Sequence, residues 1–323
     1  MHAVFLDQHT FSSKISLEKI QHQVESLTCF PTTSAEQIIT RCQHADIVIT
    51  NKVVLDSEIL KQLPKLKLVC IAATGTNNVD LNAALQLGIE VNNVSNYSTT
   101  SVSQYVFAQM LEHFNQTSHH NHNTRQGLWQ QSSTFCHHGN GMSELSGKTL
   151  GIIGNGNLGQ AVAKLGLAFG MHILIAERHK ATTIRASRHS FEKVLAEADV
   201  LTLHCPQTPD TENLINTNTL KQMKPTAMLI NTARGALVNS DDLLVALKTK
   251  QIAYAVLDVL EQEPPPADHL LLGAISNKQI DTQLNNLKLT AHIAWASIES
   301  QQRLIDVVAD NIAAFNVAES EIR

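Results

Sequence analysis

Leu150-Gly151-Ile152-Ile153-Gly154-Asn155-Gly156-Asn157-Leu158-Gly159 is an apolar strand pattern running into GxGxxG, followed by the helical pattern Gln160–Phe169. Gly154 permits a tight turn and Gly156 lets the backbone approach a pyrophosphate. Gly159 lets the new helix pack closely on the strand, while the helix N-terminus offers free N–H groups and a partial positive charge. A GxGxxG alone is a weak signal. Here a second apolar strand, Ile173–Ala176, ends in Glu177, 18 residues after Gly159, close to the spacing of about 20 in the dinucleotide fingerprint. The stretch predicts a dinucleotide site. The Glu177 carboxylate suits both hydroxyls of an adenosine ribose and would repel a 2′-phosphate. Arg178-His179-Lys180 pulls the other way, either as a phosphate holder or as a solvated turn. The acid at the strand end has the closer geometry, so NAD is expected over NADP.

Outward from this loop the same rhythm continues. Val200–His204, Met228–Asn231 and Ala253–Leu257 are further strand patterns, each separated by a helix-length segment. Before it, Val4–Leu6, Asp46–Thr50 and Leu68–Ala73 alternate with amphipathic stretches such as Ala35–Cys42 and Ser57–Leu63. Continuous apolar runs of this kind are buried parallel strands with helices on both faces. The expectation is an α/β chain with two doubly wound, Rossmann-like parallel sheets. Between the two series lie a helical stretch, Thr99–Phe114, and a polar segment, Asn115–Gly141, read as surface structure joining the domains. Ser276–Asn286 reads as a polar surface stretch, and about Ile298–Val317 as a final helix suited to packing on a core.

The 323 residues make room for two domains of roughly 150 residues each. Their 24 Lys+Arg and 29 Asp+Glu leave a charge of −5, without bulk attraction for nucleic acid. No apolar run approaches the roughly 18 residues of a membrane span, and Met1–Asp7 shows no secretory pattern. Five cysteines, an odd number without CxxC spacing, read as reduced thiols of a cytoplasmic protein. His113, His119, His120, His122, His137 and His138 match no standard metal-ligand spacing and read as solvated surface, so no metal is expected.

Three more strand ends carry chemistry: Asn231-Thr232-Ala233-Arg234-Gly235, Asp258–Pro265 and Thr290-Ala291-His292-Ile293-Ala294-Trp295. Residues at the carboxyl ends of parallel strands converge on one crevice. A guanidinium grips a carboxylate bidentately and polarises the adjoining carbonyl. An imidazolium gives a proton to that oxygen as hydride reaches carbon, and an acid orients the imidazole and favours its charged form. Arg234, Glu263 and His292 suit hydride transfer to a 2-keto acid. Each alone also fits an ordinary role: a helix-cap or salt-bridge arginine, a surface acid, a core histidine. Cys205 is open to reading as a nucleophile, but Pro206 beside it favours a small cofactor-lining residue.

The chain resembles the D-isomer-specific 2-hydroxyacid dehydrogenase family, most closely its glycerate dehydrogenase (hydroxypyruvate reductase) branch. The resemblance covers nearly the whole chain. It is carried by Ala73–Asp80, Tyr97–Val102, Arg125–Trp129, the glycine loop, Leu203–Pro206, Thr232–Gly235, Glu263–Pro265 and His292–Trp295. It implies that Arg234 binds substrate, Glu263 supports the imidazole and His292 is the acid/base. It places backbone N–H groups at Thr74 and Gly75 on the substrate carboxylate, and Asn157 and Leu158 on the pyrophosphate. Cys205 and Pro206 would flank the adenine; Thr232, Ala233 and Asp258 would line the nicotinamide, with Asp258 fixing its carboxamide. It further implies a substrate domain of residues 1–98 plus 292–323, with an NAD-binding domain, 99–291, inserted between hinges near 98 and 292. Ala291 departs from the family's usual Pro, and Lys278–Leu287 is longer than its usual connection.

The implied activity is reduction of hydroxypyruvate to D-glycerate with NADH, and of glyoxylate to glycolate. The alternatives are another 2-keto-acid reductase, a phosphoglycerate dehydrogenase, or an NAD(H)-responsive peptide-binding scaffold like the corepressors of this fold. The family's dimers imply a homodimer. The apolar Val102–Leu111 stripe suits either that interface or burial within the subunit.

Overall fold

The computed structural model describes residues 1–276 and 284–322. It forms two compact units, Met1–Ser98 with Trp295–Arg323, and Thr99–Ala294. The second crossing falls after Ala294 rather than at 291/292, so His292 belongs to the second unit. Asn115–Gly141 does not join the units. It is an excursion within the second, closed where the Ser143 N–H meets the Phe114 carbonyl at 2.9 Å, and it carries the helix Thr117–Arg125. Most of Lys278–Leu287 lies outside the described residues.

The first unit holds β1 (His2–Phe5), β2 (Ser26–Cys29), β3 (Ile47–Thr50), β4 (Leu68–Ile71) and β5 (Glu90–Asn93) in the order β2-β1-β3-β4-β5, all parallel. Side chains alternate across a strand, so Val4, Val48, Val69 and Ile71 face a cluster with Ile38, Leu60 and Leu63. Ala3, Phe5, Ile47, Ile49, Leu68 and Cys70 face the opposite side. There they are covered by Leu304, Ile305, Val308 and Ile312 of the returning helix Ile298–Ile322. Both faces are dry, which explains the uninterrupted apolar runs of β3 and β4. The edge strands β2 and β5 are only partly buried and carry no such run.

The second unit holds β6 (Thr149–Ile153), β7 (His172–Ile175), β8 (Val200–Leu203), β9 (Met228–Asn231), β10 (Tyr254–Leu257) and β11 (Leu287–Leu289). They form a parallel sheet ordered β11-β10-β9-β8-β6-β7. β7 and β8 flank β6 on opposite sides, so the winding reverses at β6 and opens a crevice above the carboxyl ends of β6 and β8. Beyond β7 the sheet ends in a single parallel bridge, Ala176 to His189. Helix Thr99–Asn115 buries Val102, Val106, Phe107 and Met110, packs on helix Asn157–Ala168 and stacks Phe107 on Phe169 at 5.1 Å. Its apolar stripe is therefore used inside the unit. Both sheets fulfil the doubly wound α/β expectation. Among the described residues no helix is long and apolar enough to cross a membrane.

Candidate active site

The glycine loop follows β6 directly. Gly154 has φ +102°, and a Cβ there would come within 2.5 Å of the Cys205 nitrogen. The turn thus lies against the backbone that leaves β8. A Cβ on Gly159 would fall 2.0 Å from the Gly154 carbonyl oxygen, so helix Asn157–Ala168 starts tight against the turn it leaves. Above Gly156, by contrast, a Cβ would meet nothing within 4 Å. That opening sits at the positive end of a helix macrodipole, where an anion is favoured. Asn157 is exposed and Leu158 half-buried at the same helix end. The Asn155 Oδ1 and the Thr232 hydroxyl are buried and meet no hydrogen-bond partner among the described residues. Buried polar atoms are ordinarily satisfied. Two orphans at the carboxyl ends of β6 and β9, the first of them next to an open helix N-terminus, fit a polar ligand such as a dinucleotide.

Arg234 stands exposed after β9. The buried Asn231 side chain braces its turn, donating to the Arg234 carbonyl at 2.8 Å and accepting from the Ala233 N–H at 3.0 Å. A Cβ on Gly235 would lie 1.8 Å from the Leu260 carbonyl carbon, so only glycine lets this turn touch the segment after β10. That segment is pinned in turn, since the Leu260 N–H donates to Glu263 Oε1 at 3.1 Å. The other oxygen, Glu263 Oε2, lies 2.6 Å from His292 Nδ1. Backbone contact and one shared carboxylate thus link Arg234, Glu263 and His292, which are far apart in the chain.

His292 adopts φ +53°, a left-handed conformation uncommon for a residue with a Cβ. Asp258 holds it there. The Asp258 carbonyl accepts the His292 N–H at 2.7 Å. Its carboxylate, in a residue only 1% exposed, accepts the Thr290 hydroxyl at 2.7 Å, the Ile293 N–H at 3.0 Å and the Ala294 N–H at 2.8 Å. Tyr105 reaches Thr290 from helix Thr99–Asn115, with 2.5 Å between hydroxyl oxygens. Asp258, expected to hold a carboxamide, is thus spent largely on shaping the His292 loop. No sequence signal singled out Tyr105, and Thr290 stood out only as the first residue of the Thr290–Trp295 strand end.

Glu177 ends β7 as expected and is 4% exposed, but its carboxylate is engaged within the protein. Oε1 accepts the Arg178 N–H at 2.9 Å and the Arg185 Nη2; Oε2 accepts the Arg185 N–H at 3.1 Å and Nε at 2.8 Å. The Arg185 guanidinium holds the Glu177 carboxyl far below the usual carboxylate range. No sequence signal singled out Arg185.

The remaining residues sit at other strand ends. Cys205 and Pro206 follow β8 beside the glycine turn, and burial pushes the Cys205 thiol up to about 11, which leaves little thiolate for a nucleophile. His204 next to it is driven down to about 4 by burial and stays neutral. Thr232 and Ala233 are half-buried after β9. Thr74 and Gly75 follow β4 in the first unit, where Thr74 is fixed by its hydroxyl on the Val94 carbonyl at 3.0 Å and by Asn93 Nδ2 on its own carbonyl at 2.7 Å. Among the described residues no cluster of three or more His, Cys, Asp or Glu is disposed to hold a metal.

The model of the D-isomer specific 2-hydroxyacid dehydrogenase family, NAD binding domain, matches residues 107–294, within the second unit. A glycerate dehydrogenase of Methylorubrum extorquens is 39% identical over 312 residues, covering 97% of this chain and 95% of that protein. A hydroxypyruvate reductase of Blautia hydrogenotrophica is 36% identical over 286 residues, covering 88% and 86%. A solved protein of Thermus thermophilus superposes with TM-score 0.80 at 30% identity, covering 97% of this chain and 96% of that one. With the glycine loop and the Glu263–His292 pair in place, these likenesses make the chain a member of the D-isomer specific 2-hydroxyacid dehydrogenase family, in its glycerate dehydrogenase and hydroxypyruvate reductase branch, and an oxidoreductase acting on CH–OH groups.

Proposed function

We propose that the protein reduces hydroxypyruvate to D-glycerate with NADH, and glyoxylate to glycolate as a second reaction. The observation that carries the reading is the 2.6 Å pair between His292 Nδ1 and Glu263 Oε2. With Nδ1–H donated to the carboxylate, Nε2 is the nitrogen left to hold a transferable proton. A bound reduced nicotinamide supplies the hydride for the carbonyl carbon. His292 gives its proton to the carbonyl oxygen, and Glu263 stabilises the imidazolium before that transfer. Arg234 presents a fork of N–H donors suited to the two oxygens of a small carboxylate. Asn157 and Leu158 are assigned to the pyrophosphate, Cys205 and Pro206 to the adenine, and Thr232 and Ala233 to the nicotinamide. Support for the choice of substrate comes from the relatives named glycerate dehydrogenase and hydroxypyruvate reductase. The match to the family's NAD binding domain supports a nicotinamide cofactor as the reductant.

A panel of small 2-keto acids, followed by the loss of NADH absorbance, tests the proposal. Hydroxypyruvate should give the highest kcat/KM, with glyoxylate next. No NADH oxidation across the panel would refute it and favour a nucleotide-responsive binding protein. A homodimer belongs to the same reading, supported by Trp129, Phe135 and Met142 left exposed between the Thr117–Arg125 helix and β6. Sedimentation at the mass of a single chain would remove it.

A further inference from the structure

The carboxylate best placed to read the adenosine ribose is already saturated. An ionised carboxylate offers about four lone-pair sites. On Glu177 four donors occupy them: the Arg178 N–H, and the N–H, Nε and Nη2 of Arg185. The arrangement is built into the loop. The Glu177 N–H meets the His189 carbonyl at 2.8 Å and the His189 N–H meets the Ile175 carbonyl at 2.9 Å, closing the neck of residues 178–188. Arg185 then folds back across that neck. Arg188 adds a second guanidinium, with Nη1 3.9 Å from Glu177 Oε1 and 3.3 Å from the Ala176 carbonyl. Arg178 and Lys180 are exposed on the same loop. One acid therefore stands among four cations, beside the glycine turn, because β7 neighbours β6 in the sheet.

We propose that Arg185 is a cofactor-specificity residue: by occupying both oxygens of Glu177 it removes the acceptor that a 2′,3′-diol needs and cancels the charge that would reject a 2′-phosphate, so the site takes NADPH as well as NADH. Two consequences separate this from a purely structural ion pair. Freeing Glu177 restores an acceptor to the unphosphorylated ribose and a repulsive charge to the phosphorylated one, so the two affinities move in opposite directions. Removing a cation that does not touch the Glu177 carboxylate through its side chain lowers only the phosphorylated one. The inference rests on the dinucleotide reading of the glycine loop.

Calorimetric titration with ADP-ribose and with 2′-phospho-ADP-ribose tests it without any turnover, since neither probe carries a nicotinamide. The wild-type protein should bind the two within about tenfold of each other. Arg185→Gln should tighten ADP-ribose by several-fold and weaken the phosphorylated probe by about tenfold or more, the scale of one charge-assisted hydrogen bond. Arg178→Gln keeps its backbone N–H on Glu177 and should weaken only the phosphorylated probe. Arg185→Lys, which retains a cation, should fall between wild type and Arg185→Gln. Arg185 is 52% exposed by side chain, and an unchanged melting temperature confirms that each variant is folded. Rejection of the phosphorylated probe by more than about a hundredfold in the wild type, or an unchanged ratio in Arg185→Gln, overturns the proposal. Loss of binding to both probes in the wild type is a different failure: the nucleotide site itself would be wrong, and the proposal would go with it.

Discussion

Asp258→Asn is the sharpest probe of how the site is held. In the wild type, three donors from residues 290–294 converge on the carboxylate at 2.7, 3.0 and 2.8 Å in a residue 1% exposed. An asparagine keeps one oxygen, enough for the Thr290 hydroxyl and the Ile293 N–H, and turns its amide N–H₂ toward the Ala294 N–H. Two donors then face each other in a dry site. Leaving one buried N–H unsatisfied costs about 1–3 kcal/mol, and converting two charge-assisted hydrogen bonds to neutral ones costs roughly 1 kcal/mol each. The sum is about 3–5 kcal/mol, a ceiling that the loop lowers by relaxing. The route of relaxation is the left-handed His292, which reverts to a commoner conformation once its neighbours are released. If half of the sum appears at the reacting groups, kcat/KM for hydroxypyruvate falls about 10- to 100-fold. ADP-ribose affinity should stay within a few-fold, because the glycine loop is untouched. Tyr105→Phe removes only the outermost link, the 2.5 Å contact to Thr290, and should cost about 0.5–1.5 kcal/mol. Steady-state kinetics, calorimetry and denaturant unfolding on both variants decide the matter. An Asp258→Asn enzyme within threefold of wild-type kcat/KM would show that Asp258 does not position His292.

Gly235→Ala puts a methyl 1.8 Å from the Leu260 carbonyl carbon, where backbone has to move. A loss of about 1–3 kcal/mol in stability and at least tenfold in kcat/KM is expected from unfolding curves and kinetics. Arg234→Ala should lower kcat/KM for 2-keto acids by about a hundredfold or more while leaving ADP-ribose binding intact; near-normal turnover discards the assignment. Cys205→Ala should retain kcat within a few-fold, since its thiol is pushed up to about 11, and a dead variant would restore the nucleophile reading. His204 titrates near 4 in the folded chain, whereas an unfolded histidine titrates near 6.5. The unfolded state therefore takes up a proton that the folded state refuses between those values. Stability is full above about pH 6.5 and falls as pH drops toward about 4, by at most about 3 kcal/mol. His204→Gln should flatten that limb of the stability–pH curve, measured by denaturant unfolding at several pH values.

The parts of this protein that were legible in the sequence are those where one residue type answers one local demand. Gly154 and Gly159 are readable because no side chain fits where β6 turns into its helix. The inner strands β3, β4, β8 and β9 are readable because every side chain in them is buried. The edge strands β2 and β5 were missed for the converse reason. Ser26 and Glu90 face solvent, and neither strand needs an apolar run. Glu263 and His292 are legible as chemistry, a carboxylate and the imidazole it supports at neighbouring strand ends.

What a side chain is free to do was harder to read than what it is. Glu177 and Asp258 were identified as acids at strand ends and were assigned to ligand groups, a ribose and a carboxamide. In the folded chain both are largely consumed by the protein's own donors: Arg178 and Arg185 for the first, Thr290, Ile293 and Ala294 for the second. The reason is general. A loop that leaves a parallel sheet carries N–H groups with no strand to pair with, and a buried carboxylate with four acceptor sites is an efficient way to satisfy several at once. An acid at a strand end therefore faces two claims, one from the ligand and one from the loop. The balance is set by residues distant in the chain, eight positions away for Glu177 and 32 to 36 away for Asp258. What each acid has left to offer a ligand is accordingly set by the donors it already holds, Arg185 for Glu177 and Thr290 with the Ile293 and Ala294 N–H groups for Asp258.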